Sequence, residues 1–233
     1  IVNGRVSADL TGTLMITANQ DARFGVNGDL TANGGQITVT ADNATGNTGG
    51  LIFMADGALF TANTAGDVEL NADGNITLGA VVSTAEVRVT TTSGAIVDGT
   101  AGEMLADVNV SAASAALRAL TGIGTDADDI DTTEATAPTF TLAAVTDSGD
   151  INLRNVGSLT IGTVDTVVGV TILDSIDNNS GNDHITLIAP SPEITYAPLN
   201  NTDRRSSTLT TPGATSAHAL TYHAHLHLPA EPS

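Results

Sequence analysis

Five-residue segments led by glycine recur along this chain: Gly35-Gln36-Ile37-Thr38-Val39, Gly66-Asp67-Val68-Glu69-Leu70, Gly74-Asn75-Ile76-Thr77-Leu78, Gly149-Asp150-Ile151-Asn152-Leu153 and Gly157-Ser158-Leu159-Thr160-Ile161. Each puts a polar residue after the turn glycine, then two apolar side chains with a polar one between them. Successive side chains of a strand point to opposite faces, so this is a half-buried strand with one inward face. One such strand cannot cover its own apolar face, but a stack of them can. The recurrence therefore predicts a solenoid.

Glycine spacing gives the size of the repeating unit. Gly12, Gly35 and Gly57 are 23 and 22 residues apart, and Gly28, Gly50, Gly74 and Gly94 are 22, 24 and 20 apart. A unit of 20–24 residues holding two or three short strands is the rung of a parallel β-helix. With 4 Phe, 2 Tyr and no Trp, the interior must be built from Val, Ile, Leu and Ala, which suits thin, layered cores. Residues 1–190 would make about nine rungs and a body of ~40 Å at the ~4.8 Å spacing of paired strands.

Two stretches depart from this regularity. Residues 103–120 are rich in Ala and Leu, which are good helix formers, but Asp107-Val108-Asn109-Val110-Ser111 alternates and Gly122 and Gly124 follow closely. Strands are the expectation there. Residues 124–137 read as a longer acidic excursion, and strands resume at Phe140. From Pro190 the texture changes: Pro190, Pro192, Pro198 and Pro212 punctuate a polar stretch without glycine-led segments. Residues 191–233 are thus expected to form an extended tail outside the ladder. Near its end Leu220, Tyr222, Ala224, Leu226 and Leu228 alternate with Thr221, His223, His225 and His227. This is one amphipathic strand in need of an apolar surface.

Charge narrows the range of partners. The net charge is −19, from 26 acidic residues against 7 arginines and no lysine. No basic patch exists to neutralise phosphates, so nucleic acid is excluded as a partner, and an anionic membrane surface would repel the chain. Such a surface attracts divalent cations, although the charge also serves solubility alone. Without cysteine, thiolate catalysis and Cys-type zinc sites are ruled out. No stretch approaches the ~20 apolar residues of a membrane span. Beginning at Ile1, the chain reads as a processed product or a piece of something longer.

Two passages carry a family resemblance. Ser93-Gly94-Ala95-Ile96-Val97-Asp98-Gly99 is followed by Asp107-Val108-Asn109-Val110 and Leu120-Thr121-Gly122-Ile123-Gly124-Thr125. The second passage runs from Ala143-Ala144-Val145-Thr146-Asp147-Ser148-Gly149-Asp150-Ile151-Asn152-Leu153 to Leu159-Thr160-Ile161-Gly162. Across about residues 60–190 the sequence resembles the repeats of large bacterial exoproteins of the filamentous-haemagglutinin type. The resemblance implies a right-handed parallel β-helix exported across a Gram-negative envelope, extracellular or at the cell surface, without catalytic residues. The tail is not part of that pattern.

Two chemical sites stand out, although no cofactor is expected. His223, His225 and His227 project on one strand face ~6.5–7 Å apart, a spacing at which imidazoles share zinc or copper, with His218 or a carboxylate completing the set. The plain alternative is a solvent-facing polar row. Asp126, Asp128, Asp129, Asp131 and Glu134 could hold calcium through oxygen ligands, although the EF-hand pattern is absent and a solvated loop explains them equally well. Some polysaccharide lyases and hydrolases use β-helices, yet this chain lacks lysine and nearly lacks the aromatic platforms on which sugars stack. It is expected not to be an enzyme.

The leading functional expectation is a non-enzymatic structural solenoid that self-assembles head to tail into a homopolymeric fibre or matrix. Leu220, Tyr222, Leu226 and Leu228 of the tail strand would dock on a neighbour. An adhesin passenger binding surface glycans or host proteins is the alternative, and a uronate-polymer enzyme the third.

Overall fold

The computed structural model describes residues 1–9, 11–42, 49–100, 108–135, 140–173, 184–188, 194–196, 199–201 and 207–210. Among them are twenty-five short strands and no helix. The described part of the Ala-rich stretch forms strands Val110–Ala112 and Ser114–Ala119. Alternation there outweighs the intrinsic helix preference of alanine, because the inward face has an apolar interior to join.

Among the described residues, pairing is parallel except at one hairpin and at the isolated Thr125–Asp128 bridge. A four-stranded sheet contains Ala22–Phe24, Ile52–Met54, Ile76–Leu78 and Ile96–Asp98. A nine-stranded sheet begins with Val6–Ala8, Leu30–Ala32, Leu59–Ala62 and Ala80–Ser83. A ten-stranded sheet begins with Leu14–Thr17, Ile37–Thr40, Val68–Ala72 and Glu86–Thr91. From Ala22 to Ala119 the chain visits these three sheets in that cyclic order. Each strand therefore lies beside the strand of the previous cycle, like beside like.

The register makes aliphatic ladders. Val39 pairs with Leu70, Leu70 with Val89 and Val89 with Leu117, all fully buried. Ile52, Ile76, Ile96, Ile123 and Ile151 form a second buried row. Phe24 and Phe60 meet edge to face with ring centroids 4.7 Å apart. Each buried side chain of this size contributes about 1.5–3 kcal/mol of transfer free energy, so the rows, not the turns, hold the sheets together.

Polar side chains handle the turns. Asp21, Asp29, Asp67 and Asp150 each accept a backbone N–H from the next cycle, at Leu51, Leu59, Glu86 and His184 respectively. Asn63 donates to Asn33, and Asn33 to Asp9, each over 3.1 Å. Part of the acidic charge is thus consumed as turn acceptors. At one corner Gly12, Gly35 and Gly66 stack so tightly that a Cβ on Gly35 would lie 2.3 Å from the Gly12 carbonyl oxygen.

The antiparallel hairpin, Thr163–Val164 with Val167–Val168, interrupts a strand. Phe140–Thr146 pairs with Leu159–Ile161 along its first half and with Val170–Ile172 along its second. The hairpin between them packs Val164 and Val167 on Ala116 and Ala143, burying outward-facing positions of the ten-stranded sheet. Parallel pairing also carries on beyond Pro190, where the sequence placed the start of an extended tail. Ile194–Tyr196 joins Leu159–Ile161, Leu199–Asn201 joins Val170–Ile172, and Ser207–Thr210 joins Ile185–Ile188.

Candidate functional site

The chemically richest place is the acidic loop and the strand beneath it. Ile123 bridges Ile96 on one side and Ile151 on the other, anchoring the loop's start. Gly124 follows at φ +66°, and a Cβ there would lie 2.3 Å from the Asn152 carbonyl oxygen, so both conformation and space call for glycine. Thr125 and Asp128 then exchange backbone hydrogen bonds of 2.9 and 3.1 Å, closing a tight turn with Asp126 exposed at its tip. The fully buried Ile130 returns the chain to the nine-stranded sheet.

This path separates the carboxylates predicted to act together. Asp128 and Asp129 are half-buried, whereas Asp131 is 2% exposed and lies beside Arg154 in register. Arg154 donates to both Asp131 oxygens, from Nε over 2.5 Å and from Nη2. The Asp131 N–H donates to Asn109 Oδ1 over 2.8 Å, and Asn109 Nδ2 donates to Asp98, which also takes the Thr100 N–H and hydroxyl. A continuous polar chain from Thr100 to Arg154 thus crosses three cycles of the sheet. Asp131 is engaged by this chain, with each carboxylate oxygen accepting from Arg154.

Asp129 is in a different position. Burial pushes its carboxyl above the usual carboxylate range; Arg154 opposes this, and Asp131, Asp128 and Asp126 add to it. Leu153 pairs with Ile130 and Arg154 with Asp131, so Asn152 is the next ladder position beside Asp129. Asn152 is 1% exposed, and neither its Oδ1 nor its Nδ2 has a hydrogen-bond partner. Among the described residues, no three His, Asp or Glu side chains converge tightly enough to hold a metal by themselves.

The remaining features are less organised. An open groove of about 380 Å³ runs past Thr90, Thr92, Arg118, Val145, Asp147 and Leu173. Arg118 donates to Thr166 of the hairpin over 3.4 Å. Arg23 pairs with Asp21 and Arg88 with Glu86 and Asp67, so these guanidinium groups also serve the chain's own carboxylates. His218, His223, His225 and His227, and the proposed docking residues Leu220, Tyr222, Leu226 and Leu228, lie outside the described residues. Sequence reading singled out Asp126, Asp128, Asp129, Asp131 and Glu134 but not Asn152, Asn109 and Asp98. In the sequence these three are simply polar residues in alternating segments, and only the strand register brings them to the loop.

No protein-family model, curated protein or solved structure matches the chain.

Proposed function

We propose that this chain is a right-handed parallel β-helix acting as a non-enzymatic structural body, secreted or at the cell surface, whose copies join end to end. The observation that carries the reading is the parallel stacking of like strands along one direction, a ladder that a further copy can extend. Among the described residues, Val6–Ala8 and Leu14–Thr17 each pair on one side only. Ile1, Val6 and Met15 are exposed there, while Val2, Leu14, Ile16 and Ala18 pack against the core yet are only partly buried. A parallel strand edge bordered by apolar side chains is a template for strand addition.

The cyclic sheet order and aliphatic ladders support the solenoid form, and the likeness of residues 60–190 to filamentous-haemagglutinin-type repeats points to the same architecture. The alternating segment Leu220-Thr221-Tyr222-His223-Ala224-His225-Leu226-His227-Leu228 supplies the matching strand from a neighbouring copy. In light scattering and electron microscopy, the full chain should form end-to-end oligomers. The substitutions Tyr222→Asp and Leu226→Asp should reduce them to monomers. Oligomers unchanged by both substitutions would overturn strand donation, and a wild-type chain that stays monomeric would favour the glycan-binding adhesin instead.

A further inference from the structure

We propose that the junction where the Gly124–Asp129 loop crosses Asn152 is a binding site for a calcium-class divalent cation, with the Asp129 carboxylate and Asn152 Oδ1 as its inner ligands. The inference is independent of end-to-end assembly.

Three observations converge on it. Asn152 is buried with both polar atoms unpartnered, and a buried amide left unsatisfied is costly. Its place in the ladder is next to Asp129. Its Cβ also lies 3.2 Å from where a Cβ on Gly124 would sit, so the side chain emerges against the loop. The unfilled amide therefore faces the acidic turn, not the aliphatic interior, where Ile151 and Leu153 point.

The donor set selects the ion. Arg154 places two guanidinium hydrogen bonds on Asp131, and its charge also acts on Asp129. Every available donor is an oxygen: carboxylate, amide or backbone carbonyl. Hard cations take such ligands, and calcium accepts six to eight of them in flexible geometry, with waters filling the gaps. Magnesium requires a tighter octahedron than a turn with one buried amide can offer, and a zinc or copper site would need nitrogen or sulfur. Because Asp129 is the one inner carboxylate, the affinity falls in the range of extracellular calcium modules, about 10⁻⁴–10⁻³ M.

The test is calorimetric titration of calcium chloride into the chelator-treated full chain, repeated with Asp129→Asn, Asn152→Val and Asp56→Asn. Asp56 is exposed in the equivalent turn three cycles earlier, so its substitution removes the same unit of charge from outside the proposed site. One saturable site is expected, weakened at least tenfold by Asp129→Asn and by Asn152→Val and unchanged by Asp56→Asn. Melting curves in chelator confirm that each variant folds. The proposal is overturned by diffuse, unsaturable uptake, by equal weakening in Asp56→Asn, or by wild-type affinity in Asn152→Val.

Discussion

Arg154 holds Asp131 through two N–H···O bonds from Nε and Nη2, with the acid 2% exposed and the arginine side chain 16%. The two sit side by side on adjacent parallel strands, 23 residues apart in sequence. Removing one member of a buried pair leaves the other charge without compensation, which costs about 3–5 kcal/mol. Arg154→Met should therefore be strongly destabilising in urea titration. The double variant Arg154→Met/Asp131→Leu should recover most of the loss, since apolar replacement of a whole buried pair is often neutral or favourable. A double variant as unstable as the single one would mean that the pair does more than balance its own charges.

The Gly12–Gly35 contact gives a second, purely steric prediction. A methyl group on Gly35 would sit 2.3 Å from a carbonyl oxygen and 2.6 Å from its carbon, both backbone atoms that cannot rotate away. Gly35→Ala should lower stability by about 1–3 kcal/mol, the usual cost of overpacking. Gly4→Ala meets nothing within 4 Å and should stay within about 0.5 kcal/mol of the parent. Thermal unfolding of the two variants side by side checks it.

The hairpin leads to a register prediction. Gly162 donates to Leu142, and Ala144 donates to Gly169, so residues 163–169 are spliced into one continuous ladder. Deleting Thr163 through Gly169 places Gly162 before Val170, keeping Ile161 beside Leu142 and Val170 beside Ala144. Deleting only Thr163 through Val168 leaves one glycine too many and turns the following side chains to the wrong face. The seven-residue deletion should retain cooperative melting, and the six-residue one should be less stable by at least about 2 kcal/mol. Equal stabilities would show that the hairpin is not a simple insertion.

These relationships show what the chain discloses before folding and what it does not. Alternation in Ile37-Thr38-Val39 or Val68-Glu69-Leu70 reports burial directly, because strand periodicity is a local property. Glycine spacing was legible only in part. Gly12 and Gly35 do stack, but the next member is Gly66 and not Gly57. Gly50, Gly74 and Gly94 form a second stack, while Gly28 packs against Val2 and Gly25. Cycle lengths vary, with Leu30 on Phe60 but Ile76 on Ile96, so constant spacing cannot identify neighbours. The consecutive alanines at 115–116 and 143–144 break the alternation because a hairpin covers their outer face, a long-range fact invisible in either segment. The Asp131 partner was hidden for the same reason: parallel register, not sequence proximity, brings Arg154 to it.

Protonation of Asp129 separates the loop's own electrostatics from cation binding. Its carboxyl is raised chiefly by burial; Arg154 lowers it, and Asp131, Asp128 and Asp126 raise it. A group whose folded value lies above its unfolded value of 3.8 favours the folded state fully when protonated, and that benefit fades as pH rises through the folded value. At neutral pH the ionised Asp129 is therefore a net burden in calcium-free buffer. Asp129→Asn should melt slightly higher than the parent at pH 7 in chelator, and the gap should close as pH approaches 4. Asp21, lowered by its bond from Arg23 and then by the Leu51 N–H, follows the opposite sign: Asp21→Asn loses stability at pH 7 and matches the parent in acid. Adding calcium at pH 7 should reverse the Asp129→Asn ranking, because the carboxylate that burdens the free loop becomes its ligand. Melting curves of the three proteins between pH 3.5 and 7.5, with and without calcium, decide it: an Asp129→Asn variant that melts lower than the parent in chelator would show that burial does not dominate at this carboxylate.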